Sequence, residues 1–280
     1  MNKKVKEAAH ILIDLALKDD VGEGDITTNN IVPSEIRRKA RMVAKADGVV
    51  AGLPVAEMVF RKLDPDLVWK ELAPDGSRIK KGEVMVEFEG SYRALLTGER
   101  TALNFLQRLS GIATMSAKYA DAVKDFQTVI LDTRKTLPGF NKLDKYAVKT
   151  GGASNHRHGL HDMAMIKDNH IEVAGGITAA VKAVRSSVDH GIKIEVETTT
   201  LAQVQEAIDA KADIIMLDNM DIETMRKGVE LIAGRAKVEA SGNITLERLR
   251  DVAATGVDYI SIGALTHSVT ALDISQRIED

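Results

Sequence analysis

Residues 129–170 read VILDTRKTLPGFNKLDKYAVKTGGASNHRHGLHDMAMIKDNH. Two apolar runs of strand type end abruptly in charge. Val129-Ile130-Leu131 leads into Asp132-Thr133-Arg134-Lys135, and Met163-Ala164-Met165-Ile166 leads into Lys167-Asp168. A helical pattern over 140–150 lies between them, and strand, helix, strand in that order predicts a βαβ unit with parallel strands. Seven Lys or Arg stand here against four Asp, and His156, His158, His161 and His170 are four of the chain's seven histidines. A buried strand that ends in guanidinium or ammonium groups aims them at one place. Cations out of water persist only where something anionic meets them. The stretch predicts an anion-binding active site at the ends of parallel strands.

Working outward toward the C-terminus, the alternation continues. Strands are predicted over 192–197, 213–217, 236–240 and 258–262, with helices over 177–188, 200–210, 221–233, 245–255 and 270–278. The strand ends Glu197, Asp218, Ser241 and Gly263 are spaced by 21, 23 and 22 residues, without a matching sequence repeat. In a β/α barrel such ends converge on one face, where the chemistry sits. An open doubly wound sheet also binds ligands at strand ends, but no G-x-G-x-x-G or Walker A loop is present. The barrel is the better reading.

Toward the N-terminus the pattern changes. An amphipathic helix opens the chain, carrying Ile11, Leu12 and Leu15, and Asp20–Thr28 forms a glycine-containing turn with capping residues. Residues 40–90 predict a β-rich layer, with a hairpin at Asp47-Gly48 between 41–46 and 49–51, then strands at 67–70 and 84–88. From Thr97 to Leu109 the period is helical, with Arg100, Asn104, Gln107 and Arg108 forming a polar stripe. Ser110-Gly111 interrupts it and marks a junction between an N-terminal domain, 1–112, and a barrel domain, 113–280, whose C-terminal tail can pack back on the first.

Composition narrows the function classes. The chain has 280 residues, 44% apolar and 28% charged, with net charge −3 and a pI near 6.2. It lacks the basic footprint of a nucleic-acid partner, so any anion site is local. No cysteine is present, which excludes disulfides, thiolate catalysis and Cys-ligated zinc. The N-terminal run is interrupted by His10 and Asp14, and no apolar run is long enough to span a bilayer. A cytoplasmic protein without a membrane partner is expected.

The strand ends make three chemical demands. Ser241-Gly242-Asn243 and Ile262-Gly263-Ala264 let backbone N–H groups approach an oxyanion, as late strand loops of barrels do for phosphate. Glu197 and Asp218 bring carboxylates to the same mouth, where a hard divalent cation such as Mg²⁺ would relieve their repulsion. Glu195 suits instead an ion pair in the barrel wall. Arg134, Lys135, His156, Arg157 and Lys167 form a polycationic slot for a small dianion. Together these suit joining a phosphorylated sugar to a polyanionic acid.

At these residues the sequence resembles the quinolinate phosphoribosyltransferases over nearly its whole length. The resemblance runs through GEGDITT, TGERTALNFLQRLSGIAT, LDTRKTLPGF, KTGGASNHRHGLHDMAMIKDNH, IEVE, IIMLDN, EASGNI and ISIGALTH. It implies an N-terminal α+β sandwich followed by an incomplete β/α barrel, in a homodimer or higher homo-oligomer. It implies transfer of phosphoribose from 5-phosphoribosyl-1-diphosphate to quinolinate, with loss of diphosphate and CO₂, to give nicotinate mononucleotide for NAD biosynthesis. By motif, Thr133, Arg134, His156, Arg157 and Lys167 would hold quinolinate, with Arg100 supplied in trans by a second subunit. Lys135, Glu197 and Asp218 would serve the sugar diphosphate and catalysis, the two carboxylates also serving Mg²⁺, directly or through water. Ser241, Gly242, Asn243, Gly263, Ala264 and His267 would hold the 5-phosphate. Competing readings are a related phosphoribosyltransferase-like protein of molybdenum uptake, a zinc hydrolase using His156, His158, His161, Asp162 and His170, and a carrier-type binding protein.

Overall fold

In the computed structural model, which describes residues 1–279, the opening amphipathic run forms α1 (Lys3–Val21). The Asn2 side chain accepts from the Val5 N–H at 3.0 Å and caps it, while Val5, Ala9 and Ile13 share the buried face. There follow α2 (Thr28–Ile31), β1 (Arg37–Ala44), β2 (Gly48–Val49), α3 (Leu53–Leu63), β3 (Val68–Glu71), β4 (Arg78–Ile79), β5 (Val84–Ser91) and α4 (Tyr92–Ala122). The middle of the chain gives β6 (Val129–Leu131), α5 (Asn141–Thr150), β7 (Ala164–Ile166), α6 (Asp168–Ala174), α7 (Ile177–Ser187), β8 (Ile194–Thr198), α8 (Leu201–Asp209) and β9 (Ile214–Asp218). The last elements are α9 (Ile222–Ile232), β10 (Lys237–Ser241), α10 (Leu249–Ala253), β11 (Tyr259–Ser261), α11 (Ala264–His267) and β12 (Ile274–Ile278). Among the described residues no helix is long and apolar enough to cross a membrane.

The chain divides into two units, which are not contiguous in sequence. The first holds Met1–Ala117, Thr136–Gly152 and the chain from Leu265 on; the second holds Lys118–Lys135 and Ala153–Ala264. The first unit is built on an antiparallel sheet in the order β12-β1-β5-β3. Trp69 stands opposite Phe88 in the β3–β5 register, and with Phe60 of α3 they form a cluster with ring centroids 5.0 to 6.3 Å apart.

Three sequence expectations fail in this unit, each for a tertiary reason. The Asp47-Gly48 hairpin does not form: β2 pairs with β4 instead. Asp47 accepts from the Lys81 N–H at 2.9 Å, and the Val49 N–H donates to Thr114 Oγ1 at 2.9 Å, so distant partners replace the turn. Ser110-Gly111 does not interrupt its helix, which runs on through α4. The Ser110 hydroxyl is fully buried, donating to the Ala51 carbonyl at 3.1 Å and accepting from its N–H at 3.0 Å. Gly111 is small because a Cβ there would lie 2.3 Å from the Thr270 carbonyl oxygen. The helix expected over 270–278 is instead β12, paired antiparallel to β1 from Ala44↔Ile274 to Ala40↔Ile278. An open sheet edge satisfies its backbone and buries Ile274, which outweighs the helical pattern of so short a segment.

The second unit is the βα succession expected from the strand-end spacing. Its sheet is parallel throughout, in the order β6-β11-β10-β9-β8-β7. The ring is not closed: β6 and β7 are the edges, and beyond β6 only an isolated parallel bridge, Leu131↔Ser154, extends the pairing. This is the incomplete barrel. Its central strands read as buried runs, Ile194 to Val196 and Ile214 to Leu217, because both faces are covered.

Gly111→Ala should lower stability by about 1–3 kcal/mol, since a methyl must displace backbone. Gly191→Ala, in open space, should stay within about 0.5 kcal/mol of the parent. Denaturant unfolding of the two variants checks this, and equal midpoints would refute the packing role.

Candidate active site

Side chains alternate faces along a strand, so Glu195 and Glu197 of β8 point the same way, as do Met216 and Asp218 of β9 and Glu239 and Ser241 of β10. The parallel register sets Asp218 beside Ser241 and Glu197 beside Met216. Glu197, Asp218 and Ser241 thus stand at the C-terminal ends of neighbouring strands, with Lys167 just beyond β7. Thr133, Arg134 and Lys135 follow β6, and Gly263 and Ala264 follow β11. Glu195 and Glu239 precede Glu197 and Ser241 by two residues on the same face of their strands, and the register sets Glu239 level with Met216 and Glu197.

At the mouth, the Lys167 ammonium donates to the Glu197 carboxylate across neighbouring strands. Asp218 accepts from the Asn219 side-chain amide at 2.8 Å, and Asn219 in turn accepts from the Asn243 amide at 3.1 Å. Asn219 and Asn243 both take left-handed backbone, φ 54° and 49°. Between them Gly242 (φ 95°) is obligatory, because a Cβ would lie 2.3 Å from Asn219 Oδ1. The Asn219 N–H also donates to the Ser241 carbonyl at 2.9 Å. The ends of β9 and β10 are therefore locked as one frame. Thr133 accepts from the Lys135 N–H at 3.1 Å and shapes the turn that carries the exposed Arg134 and Lys135.

Beneath the mouth is a buried charge cluster. Glu195 and Glu239 are wholly inaccessible, and His156 is buried. His156 Nε2 lies 3.1 Å from Glu195 Oε2 and 3.2 Å from Glu239 Oε2, while the Ser261 hydroxyl donates to Glu239 Oε1 at 2.5 Å. Burial disfavours a charged imidazole, but the two carboxylates outweigh it and raise the His156 pKa to about 10. Burial also pushes Glu195 up. The Arg157 N–H donates to His156 Nδ1 at 2.8 Å, which requires a lone pair there. With that bond in place a ring proton sits on Nε2, facing the carboxylates, and the second proton that the raised pKa implies is shared within the cluster. The three groups then carry a net charge of −1 in a dry site. Glu195 thus meets His156 inside the wall.

Asp132, fully buried just past β6, holds the backbone next to this cluster. It accepts from the His156 N–H at 2.8 Å and from the Asn155 side-chain amide at 2.8 Å. The Arg157 guanidinium donates to the Met163 carbonyl at 3.1 Å and touches Met165 Sδ at 3.5 Å. Burial, then the charge of Arg134, push Arg157 below its ordinary pKa, with Glu195 and Asp162 opposing. Two guanidiniums close enough to disfavour each other mark a slot prepared for an anion.

The zinc-hydrolase set does not assemble. Asp162 accepts from the His158 and Gly159 N–H groups at 2.6 and 3.3 Å, and His170 Nδ1 accepts from the Lys167 N–H at 3.1 Å. Among the described residues, His156, Glu195 and Glu239 form the one group of three such donors. Arg100, exposed on α4, and His267, exposed at the end of α11 with Nδ1 2.6 Å from Ser268 Oγ, both belong to the first unit. Sequence reading missed Glu239 and Asn219. Glu239 precedes Ser241 by two residues, so period two alone places it below the proposed phosphate loop; Asn219 follows Asp218 directly, and only its left-handed backbone reveals its role.

Family models describe two consecutive parts of this chain. Residues 25–110 match the N-terminal domain of quinolinate phosphoribosyl transferase, and residues 112–277 match its C-terminal domain. A probable nicotinate-nucleotide pyrophosphorylase [carboxylating] of Synechocystis is 47% identical over 265 residues, 94% of this chain and 90% of that protein. A protein of the same description from Bacillus subtilis is 47% identical over 260 residues, 93% of this chain and 90% of that one. The solved nicotinate-nucleotide pyrophosphorylase from Francisella tularensis superposes with a TM-score of 0.94 at 38% identity, covering 98% of this chain and 96% of its own. On this agreement of sequence, fold and strand-end chemistry, the chain belongs to the quinolinate phosphoribosyltransferase family.

Proposed function

We propose that the chain transfers phosphoribose from 5-phosphoribosyl-1-diphosphate to the ring nitrogen of quinolinate, with loss of diphosphate and CO₂, giving nicotinate mononucleotide for NAD biosynthesis. The observation that carries this reading is the Lys167–Glu197 ion pair at the ends of neighbouring strands, with Asp218 and a Gly-requiring loop at the next strand ends, Arg134 following β6, and Arg157 held against Met163 and Met165 of the segment that leads to Lys167. Arg134, Arg157 and Lys167 hold the two quinolinate carboxylates, and His156 keeps Arg157 in place from below. Lys135 meets the sugar diphosphate. The locked Ser241-Gly242-Asn243 turn, with Gly263 and Ala264, offers backbone N–H groups to the 5-phosphate.

Two carboxylates on neighbouring strands are a donor set that Mg²⁺ accepts when phosphate oxygens and water complete its shell. The Lys167 ammonium already occupies Glu197, so Asp218, held by Asn219, is the better direct ligand and Glu197 the better indirect one. Bound there, Mg²⁺ supplies charge neutralisation to the departing diphosphate. The protein itself aligns the pyridine nitrogen with the ribose carbon and keeps water from the oxocarbenium-like centre. Once bonded to ribose, the cationic nitrogen stabilises the electron pair left on the neighbouring ring carbon as its carboxylate departs as CO₂, and a proton from solvent then completes that carbon. Loss of CO₂ needs no general base. The setting is a cytoplasmic homodimer or higher homo-oligomer, in which Arg100 of one subunit completes the slot of another.

Quinolinate should be preferred to nicotinate, because a missing carboxylate leaves slot cations unmet where bound substrate covers them, at about 1–3 kcal/mol each. Comparable kcat/KM for the two acids would refute the slot. Turnover should stop in EDTA and return with Mg²⁺, and Asp218→Asn should raise KM for the sugar diphosphate far more than for quinolinate. Full turnover in chelator would make the carboxylates structural. Arg100→Ala and Lys135→Ala should each be severely impaired, and mixing them with subunit exchange should recover roughly a quarter of wild-type activity, since half the dimers then carry one intact site of two. Exchange confirmed by mass, without recovery, would remove Arg100 from its partner's site.

A further inference from the structure

The Glu195 and Glu239 carboxylates stand too deep to meet either substrate, yet they are wholly buried and directed at a residue of the slot. Burying two carboxylates costs several kcal/mol unless they are neutralised, and such an arrangement needs a compensating use or partner. His156 is that partner. Its ring is held on both sides: Nε2 faces the two glutamates, and Nδ1 takes the Arg157 N–H. Its backbone is held by Asp132, and the Arg157 guanidinium by the Met163 carbonyl. From the glutamates to the Arg157 backbone amide each contact is 3.2 Å or less, and the guanidinium is held separately by the Met163 carbonyl at 3.1 Å.

We propose that Glu195 and Glu239 are positioning residues for the acid substrate. They clamp the His156 ring, and the ring, through its bond to the Arg157 amide, sets the orientation in which Arg157 meets a carboxylate. They also place one net negative charge under a slot whose cations otherwise repel each other, so the slot holds its shape before the dianion arrives. Ser261 fixes Glu239 from the far side with its hydroxyl. The same three donors could surround a metal ion, but the Arg157 N–H on Nδ1 leaves the ring proton on Nε2, where a metal would have to bind. A proton, not a metal, joins this cluster.

The inference rests on the reaction proposed above, and the experiment separates the two. Turnover of the wild-type enzyme with quinolinate, 5-phosphoribosyl-1-diphosphate and Mg²⁺ tests the reaction; ratios between variants test the network. Glu195→Gln and Glu239→Gln should each weaken quinolinate, read as KM and as Kd by calorimetry, by about tenfold, the scale of one buried charged hydrogen bond. KM for the sugar diphosphate should stay within about twofold, since the ring bonds the Arg157 amide on the quinolinate side of the site. In a His156→Ala background, Glu239→Gln should add less than about twofold, because its effect passes through the ring. Ser261→Ala, the gentler change if the glutamine variants fold poorly, should weaken quinolinate by about threefold with the diphosphate unaffected. Unchanged quinolinate affinity, an equal loss for both substrates, or a full additional tenfold loss on top of His156→Ala would each overturn the proposal. So would one equivalent of metal that survives EDTA in the wild type and is lost in Glu239→Gln.

Discussion

A carboxylate removed from water must be met by a cation or a proton, and in this molecule that requirement reaches from the sheet interior to the substrate slot. The two buried glutamates need His156; His156, with a lone pair on Nδ1, captures the Arg157 amide; and Arg157 sits beside Arg134 in a site lacking enough anions of its own. The buried cluster keeps a net charge of −1, while cations gather at the mouth. The proposed dicarboxylate would complete a set of interactions that water meets poorly.

The parallel sheet is what makes this layering possible. With a side-chain period of two and all strands running the same way, one face of the sheet carries a row of side chains at each level. Glu197, Met216 and Glu239 stand level in the register, Asp218 and Ser241 one step nearer the strand ends, and Glu195 one step deeper. Glu195 and Glu239 are fully buried, whereas Glu197, Asp218 and Ser241 are partly open. Two neighbouring turns held in left-handed conformations then convert the ends of β9 and β10 into a rigid lip rather than two independent loops.

Much of this was legible in residue order. Even strand-end spacing gave the parallel βα succession, and abrupt transitions from Val129-Ile130-Leu131 and from Ile166 into charge pointed to the candidate site. What escaped were features that depend on partners far away in the chain. Asp47-Gly48 has the composition of a hairpin, but Lys81 and Thr114 hold its neighbours elsewhere. Ser110-Gly111 looks like a break, whereas its smallness serves close packing against Ala51 and Thr270. Glu239 was invisible as a functional group because nothing adjacent to it in sequence reveals that His156 is its neighbour. Local pattern carries periodicity well, and pairing across the sheet poorly.

The antiparallel sheet of the first unit has a temporal consequence. Its first strand, β1, is made early, but one of its two neighbours, β12, lies far downstream, beyond the whole parallel sheet of the second unit. Until β12 has been made, Arg37–Ala44 presents one unpaired edge, the kind of surface that recruits strands from other chains. A translating polysome therefore carries many nascent chains with that edge open, and a message truncated ahead of β12 would yield chains that never close it. The first unit cannot finish folding vectorially, because a late strand completes the sheet that an early one begins.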